Sequence, residues 1–331
     1  SGQSPPSTAP TLQVPFRQFQ LANGLNVILH QDKTVPVVAV NVWYHVGSAN
    51  EKPGRTGFAH LFEHLLFLES ENLGKGGLDK MSARIGGSGA NGSTSRDITD
   101  YLQTVPKDAL EKMIWAEADK LGWFINTVTD PVLAKEKEVV KNEKRQGVDN
   151  VPYGHNETVI AENLYPADHP YSWPVIGSLA DLDAATLEDV KNFYRRWYVP
   201  NNATLVIAGD FDPAQARAWV ENYFAEIPRG PETQPLAVRP AKLAASKSLF
   251  HEDNFAQLPQ LTYVWPTVQA LHPDAYPLEM LFDLLTDGKG TPLHAVLVDE
   301  QKLTDEVGAF SNQGKVAGEQ YLIVPAFLGV D

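Results

Sequence analysis

One short apolar segment, residues 57–67 with the sequence GFAHLFEHLLF, constrains this chain more than any other. Its leucines and phenylalanines recur at helical spacing, no proline lies between Thr56 and Phe67, and Thr56 is a suitable N-cap. The segment is therefore predicted to be a buried helix. Such a helix places His60 and His64 one turn apart on a single face.

Two imidazoles in this arrangement can bind one Zn²⁺ ion at about 2.0–2.1 Å from each nitrogen. Glu63 lies nearly on the same face, where it can reach a water at the metal without being a ligand, as a general base must. The order His-x-x-Glu-His is the inverse of the commoner His-Glu-x-x-His zinc motif. The alternative is a pair of core histidines beside an unrelated glutamate. A metal is favoured because it removes the cost of burying two imidazoles and a carboxylate among apolar side chains.

Composition narrows the remaining classes. The chain has 331 residues, of which 43% are hydrophobic and 21% charged, an ordinary globular composition with room for two domains. A net charge of −14 argues against a nucleic-acid partner. No apolar run approaches the ~18–20 residues that a membrane span requires, so no membrane span is expected. Without cysteine, any metal must be bound by His, Asp or Glu.

The first hundred residues favour strands on both sides of the histidine helix. Residues 16–30 are predicted to form a hairpin that turns at Asn23-Gly24, and residues 37–46 and 97–105 have the composition of strands. A short helix is predicted over residues 78–85. The glycine-rich residues 88–95 have two open interpretations: a plain turn, or a backbone without side chains that lets a ligand approach closely.

The middle of the chain is predicted to be mainly helical. A loop-rich segment is expected over residues 150–174. The remaining segments are helices over 107–123, 130–146, 187–197 and 213–224 and a buried strand over 203–210. In the second of these helices Glu136 and Glu143 frame two valines on one face, which is unusual for a solvent-exposed face. Glu138 is interpreted as an ordinary solvated charge.

The order of elements then starts again. After a stretch rich in Pro and Ala, a strand is predicted over 261–265, helices over 274–285 and 291–299, and a strand over 321–328. This resembles the order of residues 37–105. In a rough overlay the positions of His60, Glu63 and His64 correspond to Glu279, Phe282 and Asp283, so the second copy keeps the scaffold and loses the metal site.

These observations predict four segments. They are a flexible leader (residues 1–14), a metal-binding catalytic domain (15–228), a linker (229–245) and an incomplete second repeat (246–331).

The chain as a whole resembles the pitrilysin/insulinase (M16) family of zinc peptidases. The matching residues occur in the family's order over nearly the whole chain, and they are Val46-Gly47-Ser48, Glu51, residues 57–67, Asn91, Thr94, Asp97, Thr99, Tyr101, Glu136, Val140, Glu143, His169-Pro170-Tyr171, Pro200-Asn201-Asn202 and Gly209-Asp210. This ordered combination is far more specific than the five-residue motif alone.

The resemblance implies an α+β fold of repeated two-layer domains, each a mainly antiparallel sheet with helices on one face. Two such halves close like a clam around a chamber that admits peptides. It also implies that His60, His64 and Glu143 bind one Zn²⁺ per chain, that Glu63 is the catalytic base, and that Glu136 supports the ligands. A His₂Glu set with one open position is typical of a catalytic zinc.

Two further implications concern the substrate. In the family, the stretch matching Asn91, Gly92, Ser93 and Thr94 is an edge strand that pairs with the peptide backbone. Gly92 and Ser93 stand where the family usually has alanine and an aromatic residue, so no side-chain preference is carried over. The family's substrate-binding Arg…Tyr pair, seven residues apart in the opposing half, aligns with Val298 and Asp305.

The sequence is accordingly interpreted as half of a zinc-dependent endopeptidase. Its peptide substrate would be held with the help of a second M16-type half, on the same longer chain or on a separate subunit. The alternatives are a non-catalytic core or scaffold subunit and a peptide-binding subunit that holds zinc. The residues before 15 favour a periplasmic or secreted protein, with a cytoplasmic location also possible.

Overall fold

A computed structural model describes residues 10–88 and 90–330. Residues 1–9 of the predicted leader, Gly89 in the glycine-rich stretch and Asp331 lie outside the described residues. Within the described ranges no helix combines the length and the apolar character needed to cross a membrane.

The first part of the chain is organised by a six-stranded sheet in the order β1-β2-β6-β3-β5-β4. Neighbouring strands are antiparallel except for the parallel pair β2 and β6. The strands are β1 Arg17–Gln20, β2 Asn26–Gln31, β3 Val37–Tyr44, β4 Asn91–Thr94, β5 Thr99–Pro106 and β6 Ala203–Gly209. The predicted hairpin at Asn23-Gly24 is confirmed as β1 and β2, and β4 forms one edge of the sheet.

Eight helices accompany this sheet in the described part of the chain. They are α1 Phe58–Leu68, α2 Gly77–Ile85, α3 Leu110–Trp123, α4 Asp130–Lys144, α5 Asn156–Leu164, α6 Leu179–Ala184, α7 Leu187–Trp197 and α8 Pro213–Phe224. Side chains alternate along β3, so Val38, Val40 and Val42 are fully buried whereas Trp43 is partly exposed. The buried side chains pack with those of α1 and α3 in one large core.

A second, three-stranded antiparallel sheet has the order β7-β9-β8. Its elements are β7 Gln260–Thr267, α9 Ala275–Thr286, α10 Pro292–His294, β8 Gly308–Gln313 and β9 Gly318–Pro325, with a π-helical turn directly after α10. The order of elements here is one strand, two helices and two strands, which repeats the order from β3 to β5. The second strand of each unit, β4 in the first sheet and β8 in the second, lies at an edge of its sheet. The predicted α+β class, with mainly antiparallel sheets, is confirmed.

Several predicted details were wrong. The loop-rich segment 150–174 contains α5, whose helical pattern is weak because only Ala161 and Leu164 of its side chains are fully buried. Helix α6 and strand β8 were missed. Of the two interpretations left open for the glycine-rich stretch, the plain turn is wrong for residues 91–94. These form strand β4, the edge strand that the family resemblance implies, because pairing with β5 outweighs the poor strand propensity of Asn, Gly and Ser.

Candidate metal centre

The start of α1 is held differently from the prediction. Gly57, not Thr56, is the N-cap and has a φ of +89°, while the Thr56 hydroxyl donates to Asp181 at 2.6 Å. The helix amides are capped by the buried carboxylate of Glu51, which accepts from the Ala59 N–H at 2.9 Å. Burial raises the pKa of Glu51 to about 8. The cap therefore sits on a loop residue that the helix pattern alone did not indicate.

The two faces of α1 have opposite roles. Leu61, Phe62 and Leu65 are buried in the core, and the Tyr101 hydroxyl on β5 donates to the Phe62 carbonyl at 3.0 Å. The other face presents the two histidines, whose ring centroids are 4.8 Å apart. Burial of the apolar face of α1 thus turns its other face, which carries the two histidines, away from the core.

The histidines meet a carboxylate from α4. His60 Nε2 lies 3.5 Å from Glu143 Oε1, and His64 Nε2 lies 3.0 Å from Glu143 Oε2. One ligand atom from each of the three residues lies within 4.8 Å of the other two. The Glu143 side chain is 47% exposed, so the group opens to solvent on one side.

Glu136 lies two turns before Glu143 on α4 and is buried. It accepts a hydrogen bond from His64 Nδ1 at 3.2 Å, and this bond raises the pKa of His64. Burial lowers the pKa of His60 and so favours the neutral ring. A neutral imidazole is the form that binds a metal.

Glu63 points toward the edge strand. The Thr94 hydroxyl on β4 donates a short hydrogen bond to Glu63 Oε2. Gly92 lies two residues before Thr94 on the same side of β4, and its backbone packs against the side chains of Phe67 and Glu63. A Cβ at Gly92 would lie 2.9 Å from Phe67 Cε2 and 3.1 Å from Glu63 Cγ. The bare backbone of the glycine-rich stretch therefore allows the strand to pack closely on α1.

The other two residues of the strand do not face the metal ligands. Asn91 and Ser93 are exposed and alternate with Gly92 and Thr94, as a strand requires. Ser93 Oγ donates to Asp100 on the neighbouring strand. Of the four predicted substrate residues, the structure brings Gly92 and Thr94 to α1 and leaves Asn91 and Ser93 at the surface.

The segment after α1 is held by a residue that sequence reasoning missed. The buried carboxylate of Asp119 on α3 accepts from Ser70 Oγ at 2.6 Å and from the amides of Asn72 and Leu73 at 3.0 and 2.9 Å. An acidic residue inside a helix carries no local signal for this role. Glu51 and Asp119 thus fix the two ends of the segment that bears the histidines.

Comparisons with known proteins identify the family. Residues 26–167 match the family model for insulinase (peptidase family M16), and residues 184–327 match the model described as the peptidase M16 inactive domain. The zinc protease PqqE of Helicobacter pylori is 32% identical over 308 residues, which cover 92% of this chain and 68% of that protein. The chain spans about half the length of other curated relatives that it matches.

Solved structures share the fold. The crystal structure of a protease from Helicobacter pylori matches with a TM-score of 0.87 and 30% identity, covering 96% of this chain and 76% of that one. The periplasmic protease PqqL from Escherichia coli matches with a TM-score of 0.74 and 20% identity, covering 94% of this chain and 35% of that one. The chain belongs to the M16 family of peptidases.

Proposed function

We propose that this chain is the metal-binding half of a zinc-dependent endopeptidase that hydrolyses peptides or unfolded protein segments. The observation that carries the proposal is the convergence of His60, His64 and Glu143, with the Glu63 carboxylate close enough to both histidines to act on them electrostatically. All four residues lie in the part that matches the insulinase-type model, and not in the part that matches the inactive domain. The non-catalytic alternative is disfavoured because its relatives typically have broken metal motifs.

The residues present suit zinc. Ligands at about 2.0–2.1 Å from a tetrahedral zinc ion lie roughly 3.3 Å from one another. Each histidine Nε2 lies near that distance from one oxygen of Glu143, His60 at 3.5 Å from Oε1 and His64 at 3.0 Å from Oε2. Two imidazoles and one carboxylate leave a fourth position open, as in catalytic zinc sites. We therefore assign one zinc ion per chain to these three side chains.

A bound zinc ion would acidify water and polarise the scissile carbonyl. Glu63 is placed to take the proton of the attacking water at its carboxylate and to pass it to the leaving amine. The Thr94 hydroxyl holds one oxygen of Glu63, so the other oxygen is available for proton transfer. Glu136 holds the Nδ1 proton of His64 and directs its Nε2 toward the metal position.

The substrate strand is the edge strand β4. An extended peptide can add to such an edge by backbone hydrogen bonds, which gives affinity without a requirement for particular side chains. Residues Asn91, Gly92, Ser93 and Thr94 would pair with the peptide beside Glu63. Since Gly92 and Ser93 have little bulk, they form no apolar pocket wall, and we expect a broad side-chain preference.

We further propose that a second M16-type half completes the chamber and supplies the Arg and Tyr that bind substrate. The matching positions of this chain, Val298 and Asp305, lack those chemistries. The functional division would be a catalytic domain over 15–228, a linker over 229–245 and a non-metal-binding repeat after it. A periplasmic or secreted location is proposed, in keeping with the periplasmic PqqL among the structural neighbours. Full activity of the isolated 331-residue chain would contradict the need for a second half.

The test combines metal content with peptide cleavage. Zinc is measured by mass spectrometry in the wild type and in Glu63→Gln, Glu143→Gln and Glu138→Gln. Glu138 is the matched control because it lies on the same helix with its side chain 61% exposed. We expect stoichiometric zinc in all but Glu143→Gln, and any cleavage to be confined to the wild type and Glu138→Gln. Zinc without cleavage in the wild type would indicate a missing half. No zinc in metal-replete buffer would contradict the proposal.

A further inference from the structure

A buried ion pair joins the substrate edge of the first sheet to the second sheet. Arg96, two residues after β4, donates from Nη1 to both carboxylate oxygens of Glu319 on β9, at 2.8 and 3.1 Å. The side chains are 9% and 1% exposed. Removal of one partner would leave the other as an uncompensated buried charge. Loss of either charge would therefore destabilise the contact between the two sheets.

The next residue makes a second connection. Both carboxylate oxygens of Asp97 accept from the Tyr171 hydroxyl, at 2.9 and 2.7 Å, and one of them also accepts from the Lys315 amide at 3.0 Å. Val316 donates its amide to the same tyrosine oxygen at 3.0 Å. The Arg96 guanidinium lies 4.5 Å from the centre of the Tyr171 ring. The turn between β8 and β9 thus holds Asp97, the residue after Arg96, directly and through Tyr171.

The backbone of Ser95 and Arg96 is also hydrogen-bonded to the loop that leads to α1. The Arg96 carbonyl accepts from the Ala49 amide at 2.8 Å, and the Ser95 carbonyl accepts from the Ser48 amide at 3.2 Å. Thr94, the last residue of β4, holds Glu63. Only one residue separates Thr94 from the ion pair, so the position of the pair sets where β4 ends.

We propose that the Arg96–Glu319 pair is a brace by which the second sheet positions β4 against α1, and that Glu319 is a positioning residue for peptide binding. The role of Glu319 in peptide binding rests on the proposed peptidase function, whereas the brace between the two sheets does not. Glu319 contacts neither the metal ligands nor the face of β4 beside Glu63, so it acts through Arg96. A pair with a purely structural role would lower stability without loosening β4 in particular.

Amide hydrogen exchange tests the brace directly. It is measured for β4 and β3 in the wild type, in Glu319→Gln and in Val324→Ala. Val324 is the control because it is buried on the same strand and pairs with Leu261 of β7, away from Arg96. For Glu319→Gln we expect exchange in β4 to accelerate by about tenfold or more, with β3 unchanged. For Val324→Ala we expect no change in β4.

Steady-state kinetics on a peptide substrate tests whether Glu319 is a positioning residue for peptide binding. We expect Glu319→Gln to raise KM by roughly tenfold and to lower kcat by at most about tenfold, since Thr94 keeps its hydroxyl and the metal ligands are untouched. If Glu319→Gln fails to fold, Arg96→Lys, which keeps the charge but not the paired contact, replaces it. Unchanged β4 exchange, or faster exchange with unchanged KM, would overturn the inference. A wild type that binds no zinc in metal-replete buffer would refute the proposed function, and one that binds zinc without cleaving peptides would indicate a missing half. In both cases the exchange data still decide the brace.

Discussion

His64 donates from Nδ1 to the buried carboxylate of Glu136 at 3.2 Å and presents Nε2 to Glu143 at 3.0 Å. One side chain is thus held at both ring nitrogens by two carboxylates from the same helix. The first contact keeps the proton on Nδ1, which leaves the lone pair of Nε2 to bind a metal. His60 has no such support, because its Nδ1 is buried without a hydrogen-bond partner among the described residues.

This asymmetry predicts the effect of Glu136→Gln. Loss of the negative charge weakens the orientation and basicity of His64, so zinc affinity should fall by about 10- to 100-fold. Competition with a chelator of known affinity measures the change. Glu138→Gln, on the exposed side of α4, should leave the affinity unaltered. Equal affinities for the wild type and Glu136→Gln would show that Glu136 does not support the metal ligands.

The contact between Thr94 and Glu63 predicts a kinetic split. Thr94→Val keeps the shape of the side chain and removes the hydroxyl, so Glu63 loses its fixed orientation and kcat should fall by roughly 10- to 100-fold. Thr94→Ser keeps a hydroxyl and should retain most of the activity. Zinc content should be the same in both variants, since Thr94 is not a ligand. A Thr94→Val enzyme as active as Thr94→Ser would rule out this role.

Close packing at Gly92 predicts a paired substitution. In Gly92→Ala the new methyl group would meet Phe67 Cε2 at 2.9 Å and Glu63 Cγ at 3.1 Å, so β4 or the ring must move. We expect a loss of about 1–3 kcal/mol in the free energy of unfolding, together with lower activity. Adding Phe67→Leu makes room and should restore much of the loss. Denaturant titration of the two single variants and the double variant would show whether the two sites are coupled.

The buried Glu51 predicts a pH dependence of stability. Its pKa of about 8 lies above the ordinary value of 4.5, because burial disfavours the charged form. Between these values the folded state binds more protons than the unfolded state, so the free energy of unfolding falls as the pH rises, by up to about 1.4 kcal/mol per pH unit. Glu51→Gln should flatten this slope between about pH 5 and pH 8.

Urea titrations at several pH values measure the Glu51 effect. Glu162→Gln, at an exposed position of α5, is the matched control and should keep the wild-type slope. A slope in Glu51→Gln identical to that of the wild type would mean that other groups cause the pH dependence.

Local pattern was sufficient for some elements and not for others. Helices α1 and α4 and the hairpin of β1 and β2 were predicted because each is encoded by its own periodicity or turn residues. Strand β4 was implied only by the family resemblance and not by its local pattern, because Asn, Gly and Ser favour turns and only the pairing with β5 makes these residues a strand. Thr56 was misplaced as the N-cap because its hydroxyl is used by Asp181, far away in sequence.

The sequence by itself determined the histidine helix, the choice of metal-binding residue types and the M16 family, because these depend on short-range spacing and on an ordered set of motifs. Only the tertiary structure decided which distant groups serve that helix. The cap from Glu51, the hydrogen bond from Thr94 to Glu63 and the ion pair of Arg96 with Glu319 all join separate elements. Such contacts depend on how sheets and helices pack, which no local pattern encodes.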